Sequence, residues 1–255
     1  MTGRALHRTD RADAGEHAQA VTVLRRVETI DWEHAIEELD ARGNATIEKL
    51  LTSAQCEDLT ALYEEDANFR SRVVMERHGF GRGEYQYFRY PLPPVVAELR
   101  ASFYPRLAPI ANRWNEAMRI DMRYPDAHGD YLARCHDAGQ VHPTPLLLKY
   151  SEGDYNCLHQ DLYGEHVFPL QVAVLLSRPG HDFSGGEFVI TEQRPRMQSR
   201  AEVVPLEQGD AVIFAVHHRP LQGTRGTYRV NLRHGVSRLR SGRRLTLGVI
   251  FHDAS

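Results

Sequence analysis

The sequence predicts a mainly β protein with flanking α-helices: an antiparallel barrel or jelly-roll core with an N-terminal helical buttress. Three observations predict it. From residue 143 onward, eight short strand-like runs alternate with turn residues, and no helical pattern comes between them. Before that point one long stripe of apolar residues recurs at helical spacing. No internal repeat, and no linker long enough to separate a pair of domains, interrupts the 255 residues.

Residues 1–20 are polar and charged and read as a disordered tail without the apolar run of a secretory leader. Residues 21–255 then read as one domain, with a helical and β region over 21–142 and the jelly-roll core over 143–255. A helical pattern runs from Val21 to Leu39; Asp31 is placed to cap a helix through Asp40, and Gly43 to end it. Ala45 to Leu51 is the first expected strand. Thr52 and Ser53 offer an N-cap for a helix through Glu65, with Cys56, Leu59, Leu62 and Tyr63 on one stripe. Arg72 to Tyr90 reads as a hairpin turning around Gly79, Gly81 and Gly83; no GxxxxGK[ST] phosphate loop is present.

Pro93 and Pro94 open the clearest helix. Val96, Leu99, Phe103, Leu107, Ile110, Trp114 and Met118 form its core stripe, and Pro105 and Pro109 inside it predict a kink or a split. A second short helix is expected over His128 to Ala138. The strand-like runs are Thr144–Tyr150, Leu158–Asp161, Leu170–Ser177, Glu187–Thr191, Glu202–Val204, Ala211–Val216, Thr227–His234 and Arg244–Phe251.

Composition narrows the function classes. The formal net charge of −3 provides no global basic field for nucleic acid or an anionic membrane, although a local basic groove remains compatible with it. Cys56, Cys135 and Cys157 have no CxxC spacing, so a disulfide framework is not expected and a reducing compartment fits. Apolar runs such as Val172–Leu176 fall far short of the roughly 18 residues of a membrane span. A cytoplasmic protein is the expectation.

The chemistry centres on Leu158–Leu162. His159 and Asp161 are i and i+2, so on a strand both side chains project to one face. Two histidines and one carboxylate on one face of an iron leave positions open for a cosubstrate and oxygen, so a distant histidine is needed as third ligand. Among His166, His181, His217, His218, His234 and His252, the strongest candidate is His234. Arg244 follows it by ten residues, across a turn expected at Ser241-Gly242; a hairpin of that length returns the arginine beside the histidine strand. A buried guanidinium there can grip a carboxylate with two parallel hydrogen bonds. The rival is His218, with Arg229 eleven residues on. Cys157 reads as a small packing residue, with lining of the same pocket as the alternative.

The order His159-x-Asp161, a distant His234, then Arg244 resembles the Fe(II)- and 2-oxoglutarate-dependent dioxygenases, and its spacing is close to that of their prolyl hydroxylase-type branch. Lys149-Tyr150-Ser-Glu-Gly153 ahead of His159 and Phe183-Ser-Gly-Gly-Glu187 match further pieces of that branch. The runs Pro145–Tyr150, His159–Gly164, Arg194–Arg200 and Ile250–Ala254 are similar to a bacterial family of 2-oxoglutarate oxygenases labelled as oxidative repair enzymes for alkylated nucleic acid. The second arginine that alkylation-repair dioxygenases carry is not reproduced by this spacing.

The resemblance implies a double-stranded β-helix in which His159, Asp161 and His234 hold Fe(II). It implies that Arg244 binds the C5 carboxylate of 2-oxoglutarate, with hydroxyl hydrogen bonds from Thr246 and Tyr150. O2 is the co-oxidant, succinate and CO2 are co-products, and ascorbate is a candidate reductant. The substrate is hydroxylated or oxidatively demethylated; alkylated nucleic acid, a protein side chain and a small metabolite all stay open. Arg194, Arg196 and Arg200 are expected either to line the pocket mouth and meet an anionic substrate or to form a solvated loop. Tyr85, Tyr87, Phe88 and Tyr90 either stack on a base or, as the stronger expectation, pack in the covering hairpin. The competing function is a non-catalytic metal- or ligand-binding barrel of cupin type, whose His-x-His pair and Glu this chain lacks.

Overall fold

The computed structural model describes residues 22–162, 164–224 and 226–255; the tail expected over 1–20 lies outside them. Two short helices come first, α1 (Val23–Glu28) and α2 (Trp32–Arg42). The side chain of Asp31 accepts from the backbone N–H of His34 at the start of α2, and Gly43 closes it in the left-handed conformation. Strand β1 (Asn44–Ile47) follows, then α3 (Ser53–Ala61), whose Thr52 and Gln55 form a reciprocal capping box.

The expected hairpin divides into three strands: β2 (Phe69–Val74), β3 (Gly81–Arg82) and β4 (Glu84–Phe88). β2 and β4 pair with each other, whereas β3 crosses to another sheet. The long helix α4 (Pro94–Ala117) is not split. Its apolar stripe is buried, while Pro105 and Pro109, four residues apart, both lie on the exposed face. The helix carbonyls left without a partner there face water, so the helical path continues through both prolines. α5 (His128–Asp137) completes the helical region.

The remaining strands are β5 (Leu146–Ser151), β6 (Tyr155–His159), β7 (Leu170–Leu175), β8 (Phe183–Gly185), β9 (Phe188–Gln193), β10 (Arg200–Val204), β11 (Ala211–Ala215), β12 (His218–Gly223), β13 (Gly226–Val236) and β14 (Leu239–Val249). Among the described residues they build two antiparallel sheets. The larger runs β1-β11-β7-β14-β5-β4-β2, with β8 on β14; the smaller runs β10-β9-β13-β6-β3, with β12 on β13. This is the jelly roll that the strand pattern predicts. β8 and β12 lie outside the strand-like runs expected from the sequence.

Every residue of β7 and β11 is buried, which places helices on one face of the large sheet and the interior of the sandwich on the other. One apolar cluster joins Val96, Leu99, Phe103, Leu107 and Trp114 of α4 to Val172, Val174, Ile213 and Leu247 of the sheet. Arg100, also on α4, is buried. It donates to the carbonyls of Ile250 (2.8 Å) and His252 (2.9 Å) and to Asp253 (2.7 Å), fastening the C-terminal segment to the helix.

One turn expectation is corrected. Ser241-Gly242 is not the reversal between the His234 and Arg244 strands. The chain reverses between Val236 and Leu239, and Ser241-Gly242 lies inside β14, where it pairs with β8. Gly242 has φ +81°, and a Cβ there would sit 2.0 Å from the carbonyl oxygen of Asp182, so only glycine fits this crossing. β13 and β14 therefore belong to different sheets.

Candidate active site

The site lies between the two sheets. β6 ends at His159, which is opposite His234 on β13. Asp161 lies two residues beyond the strand end, outside the ladder, and its carboxylate still reaches the side on which His159 and His234 stand. Its two oxygens lie 3.3 Å from His159 Nε2 and 3.4 Å from His234 Nε2, and one donor atom from each residue falls within 4.8 Å of the others.

Local contacts aim these donors. His159 Nδ1 is 2.8 Å from the carbonyl of Cys157. A carbonyl only accepts, so Nδ1 carries a proton there, and the ring is held with Nε2 turned to Asp161. The His234 ring is packed against Phe214, 4.6 Å between centroids, and Phe188, 6.0 Å. Burial alone would raise the Asp161 carboxyl, but hydrogen bonds from His159 and His234 outweigh it and hold it far below the usual carboxylate range. Burial pulls His159 down, yet the Asp161 hydrogen bond and charge win and raise it. Buried His234 is lowered by its loss of solvent, which Asp161 only partly offsets.

Arg244 enters from the opposite sheet, in register with Tyr150 of β5. It is buried, donates to Thr246 Oγ1 at 2.6 Å, and lies 5.7 Å from the Tyr150 ring centre and 5.9 Å from that of Phe183. Burial lowers its pKa to about 10, so it stays cationic at neutral pH. Glu187 acts on it only through charge, with no carboxylate of the described residues at ion-pair distance, and its Nε has no protein partner. A buried cation in this condition is costly unless an anion completes it.

A cavity of about 400 Å³ joins the two halves, with His159, Asp161 and His234 on one wall and Tyr150, Arg244 and Thr246 on the other. The rival ligands are elsewhere: the His217 and His218 rings pack on each other at 4.5 Å, and Arg229 donates to the carbonyl of Met118. Arg194, Arg196 and Arg200 do not line the cavity. Arg194 and Arg200 instead pair with Glu192, which also holds the buried Arg219. Tyr85 and Tyr87 line the cavity, whereas Phe88 is core and Tyr90 bonds Asp253. Cys157 is exposed and lines the cavity, which overturns the packing reading in favour of the pocket-lining one.

Sequence reasoning missed Asn156, which donates to the Tyr150 hydroxyl at 3.3 Å, and Gln171, buried on the cavity wall with an unpartnered Nε2. Gln171 had a legible signal, as the one polar side chain in the apolar run Leu170–Leu176.

The residues 83–254 match the model of the Oxygenase-NA family, described as an oxygenase catalysing oxidative methylation of damaged DNA. Among curated proteins, the uncharacterized protein Rv2227 of Mycobacterium tuberculosis is 48% identical over 168 residues, covering 66% of this chain and 72% of that one. Two solved structures share the fold. A Trichoplax adhaerens prolyl hydroxylase, in complex with a hypoxia inducible factor peptide fragment, is 14% identical with a TM-score of 0.52, covering 89% of this chain and 91% of the other. An oxidoreductase of the 2OG-Fe(II) oxygenase family from Burkholderia pseudomallei is 14% identical with a TM-score of 0.50, covering 89% and 94%.

Proposed function

Because the chain belongs to the Oxygenase-NA family, and is a 2-oxoglutarate-dependent oxygenase working with Fe(II), 2-oxoglutarate and O2, we propose that His159, Asp161 and His234 hold the iron. Arg244, Thr246 and Tyr150 then receive the cosubstrate. The donor set suits the metal: two imidazoles and one carboxylate from one side leave the cavity side open. The observation that carries the reading is the buried, unpaired Arg244 in the same cavity as that set.

Bound there, the iron supplies the oxidising chemistry, coupling decarboxylation of 2-oxoglutarate to insertion of oxygen into a substrate C–H bond. The chain's residues do the rest. Arg244 takes the distal carboxylate through charge-assisted hydrogen bonds, with its guanidinium held by Thr246. The Tyr150 hydroxyl, oriented by Asn156, donates to the same carboxylate. Leu146, Leu148, Phe188, Phe214 and Ile250 keep the cavity apolar and limit water at the reacting atoms.

For the substrate, the family description favours a damaged nucleic-acid base. The Tyr85 and Tyr87 rings on the wall suit a flat ring. Hydroxylation of an N-methyl carbon gives a hemiaminal that sheds formaldehyde, so one C–H oxidation accomplishes demethylation. Residues 21–255 are proposed to act as one domain, since a single apolar cluster joins the helical region to the sheets. The family and the His-Asp-His set both stand against the non-catalytic cupin-type alternative. The test is succinate formation that requires Fe(II), O2 and 2-oxoglutarate, followed by mass measurement of a methylated single-stranded oligonucleotide. Protein without any such turnover would sink the reading.

A further inference from the structure

Gln160 stands between two proposed iron ligands, and its side chain does what the backbone stops doing there. β6 and β13 pair at Asn156↔Val236 and His159↔His234. Continued in that register, the ladder would set Asp161 opposite Leu232, two residues further on each strand. The chain leaves the sheet instead, since β6 ends at His159. The carbonyl of Leu232 is taken by Gln160 Nε2 at 2.7 Å. The same nitrogen is 3.2 Å from the carbonyl of His217, which also accepts from the backbone N–H of Leu232 at 2.8 Å. One carboxamide thus directs both protons at two main-chain carbonyls beside His234.

The Asp161 carboxylate, by contrast, has no hydrogen-bond partner among the described residues apart from the two histidines. Nothing of its own fixes where it points. The Gln160 anchor, one residue away, ties the backbone from which the carboxylate reaches His159 and His234. We infer that Gln160 is a positioning residue: its carboxamide replaces the missing ladder bonds and holds Asp161 at the distance the metal needs. The inference rests on the iron-site reading above. Residues that orient metal ligands from outside are worth about 10–100-fold in metal affinity.

The test uses the full chain and two substitutions. Gln160→Met keeps length and bulk but has no donor; Gln160→Glu keeps length and sets acceptor oxygens against two carbonyls. Co(II) alone, and Fe(II) with 2-oxoglutarate under anaerobic conditions, are titrated by their absorption bands, with the metal-free melting temperature measured in parallel. The expected result is a metal Kd raised on the order of tenfold in the Met variant and at least as much in the Glu variant. The KM for 2-oxoglutarate at saturating iron stays at the wild-type value, because Arg244 is on the other sheet. Metal Kd values within about twofold of wild type in both variants would overturn the inference. So would a loss of metal affinity matched by a raised 2-oxoglutarate KM and a lowered metal-free melting temperature, which is the signature of general loosening. Wild-type protein that binds neither metal refutes the iron-site reading itself, a result distinct from both.

Discussion

His234 and Arg244, ten residues apart in the chain, line one cavity from opposite sheets. The short link over Val236–Leu239 crosses the sandwich rather than returning along the same sheet. The metal-binding candidates and the anion-binding candidate are thereby set on facing walls, which is the arrangement a bidentate, dicarboxylate cosubstrate requires. It also separates their energetics, so changes on one wall should leave the other measurable.

Replacing Arg244 with Leu removes the buried cation and leaves the His-Asp-His wall in place. We expect the KM for 2-oxoglutarate to rise by about 10- to 100-fold, the worth of a charge-assisted pair of hydrogen bonds. Co(II) affinity should not change. An unaltered KM would move the cosubstrate site elsewhere.

Thr246→Val keeps the shape of the side chain but deletes the hydroxyl that accepts from Arg244. The guanidinium then has to find its own position on binding. A rise of about threefold to tenfold in the KM for 2-oxoglutarate is expected, from one hydrogen bond of roughly 1 kcal/mol. Steady-state kinetics at saturating Fe(II) check it.

Substituting Ala for His159, Asp161 or His234 one at a time should abolish succinate formation, and chelation of the metal should do the same reversibly. Activity that survives any one of the three in metal-replete buffer would remove that residue from the ligand set.

Buried Asp253 accepts from the buried Arg100 and from the more exposed Tyr90 and His136. Burial alone would raise its carboxyl, but Arg100 and the hydrogen bonds prevail and lower it. A lowered folded-state pKa stabilises above the unfolded value of about 3.9 and is lost as pH falls through the folded value. Asp253→Asn should therefore cost about 3 kcal/mol between pH 5 and 8. The gap to wild type should narrow only below about pH 4. Thermal melts across pH measure it, and a gap that closes near pH 6 would assign the effect to another group.

Pro109→Ala offers a backbone N–H to the carbonyl of Pro105 on the exposed face of α4. Since the helix runs through this position already, the change should raise stability, by about 1 kcal/mol or more. A lowered melting temperature would show that packing of α4 against the sheet depends on the proline.

The readable features of the fold were those coded over a few neighbours. The α4 stripe, the Asp31 and Thr52 caps, the Gly43 stop and most core strands follow from side-chain period and capping chemistry. The site types were readable for the same reason: His159-x-Asp161 is a local pair, and the His234–Arg244 interval is short. Gln160 was not legible as a site residue, because its role rests on carbonyls of distant segments, nor was Asn156, whose partner Tyr150 is near in sequence but on the facing sheet. The arginines after β9 point the same way: Arg194 and Arg200 look available in sequence and are taken up by Glu192 in space.

The sequence by itself determined the fold class, the residue types of the site and the chemistry they suit, since periodicity and donor identity are properties of nearby residues. Only the tertiary structure decided which sheet each strand joins, and so that β6 stops at His159, that Asp161 lies outside the ladder, and that Arg244 approaches across the sandwich. Strand pairing is settled by hydrogen bonds and packing between segments far apart in the chain, and no local pattern around Leu158–Leu162 encodes which carbonyl the next residue will find.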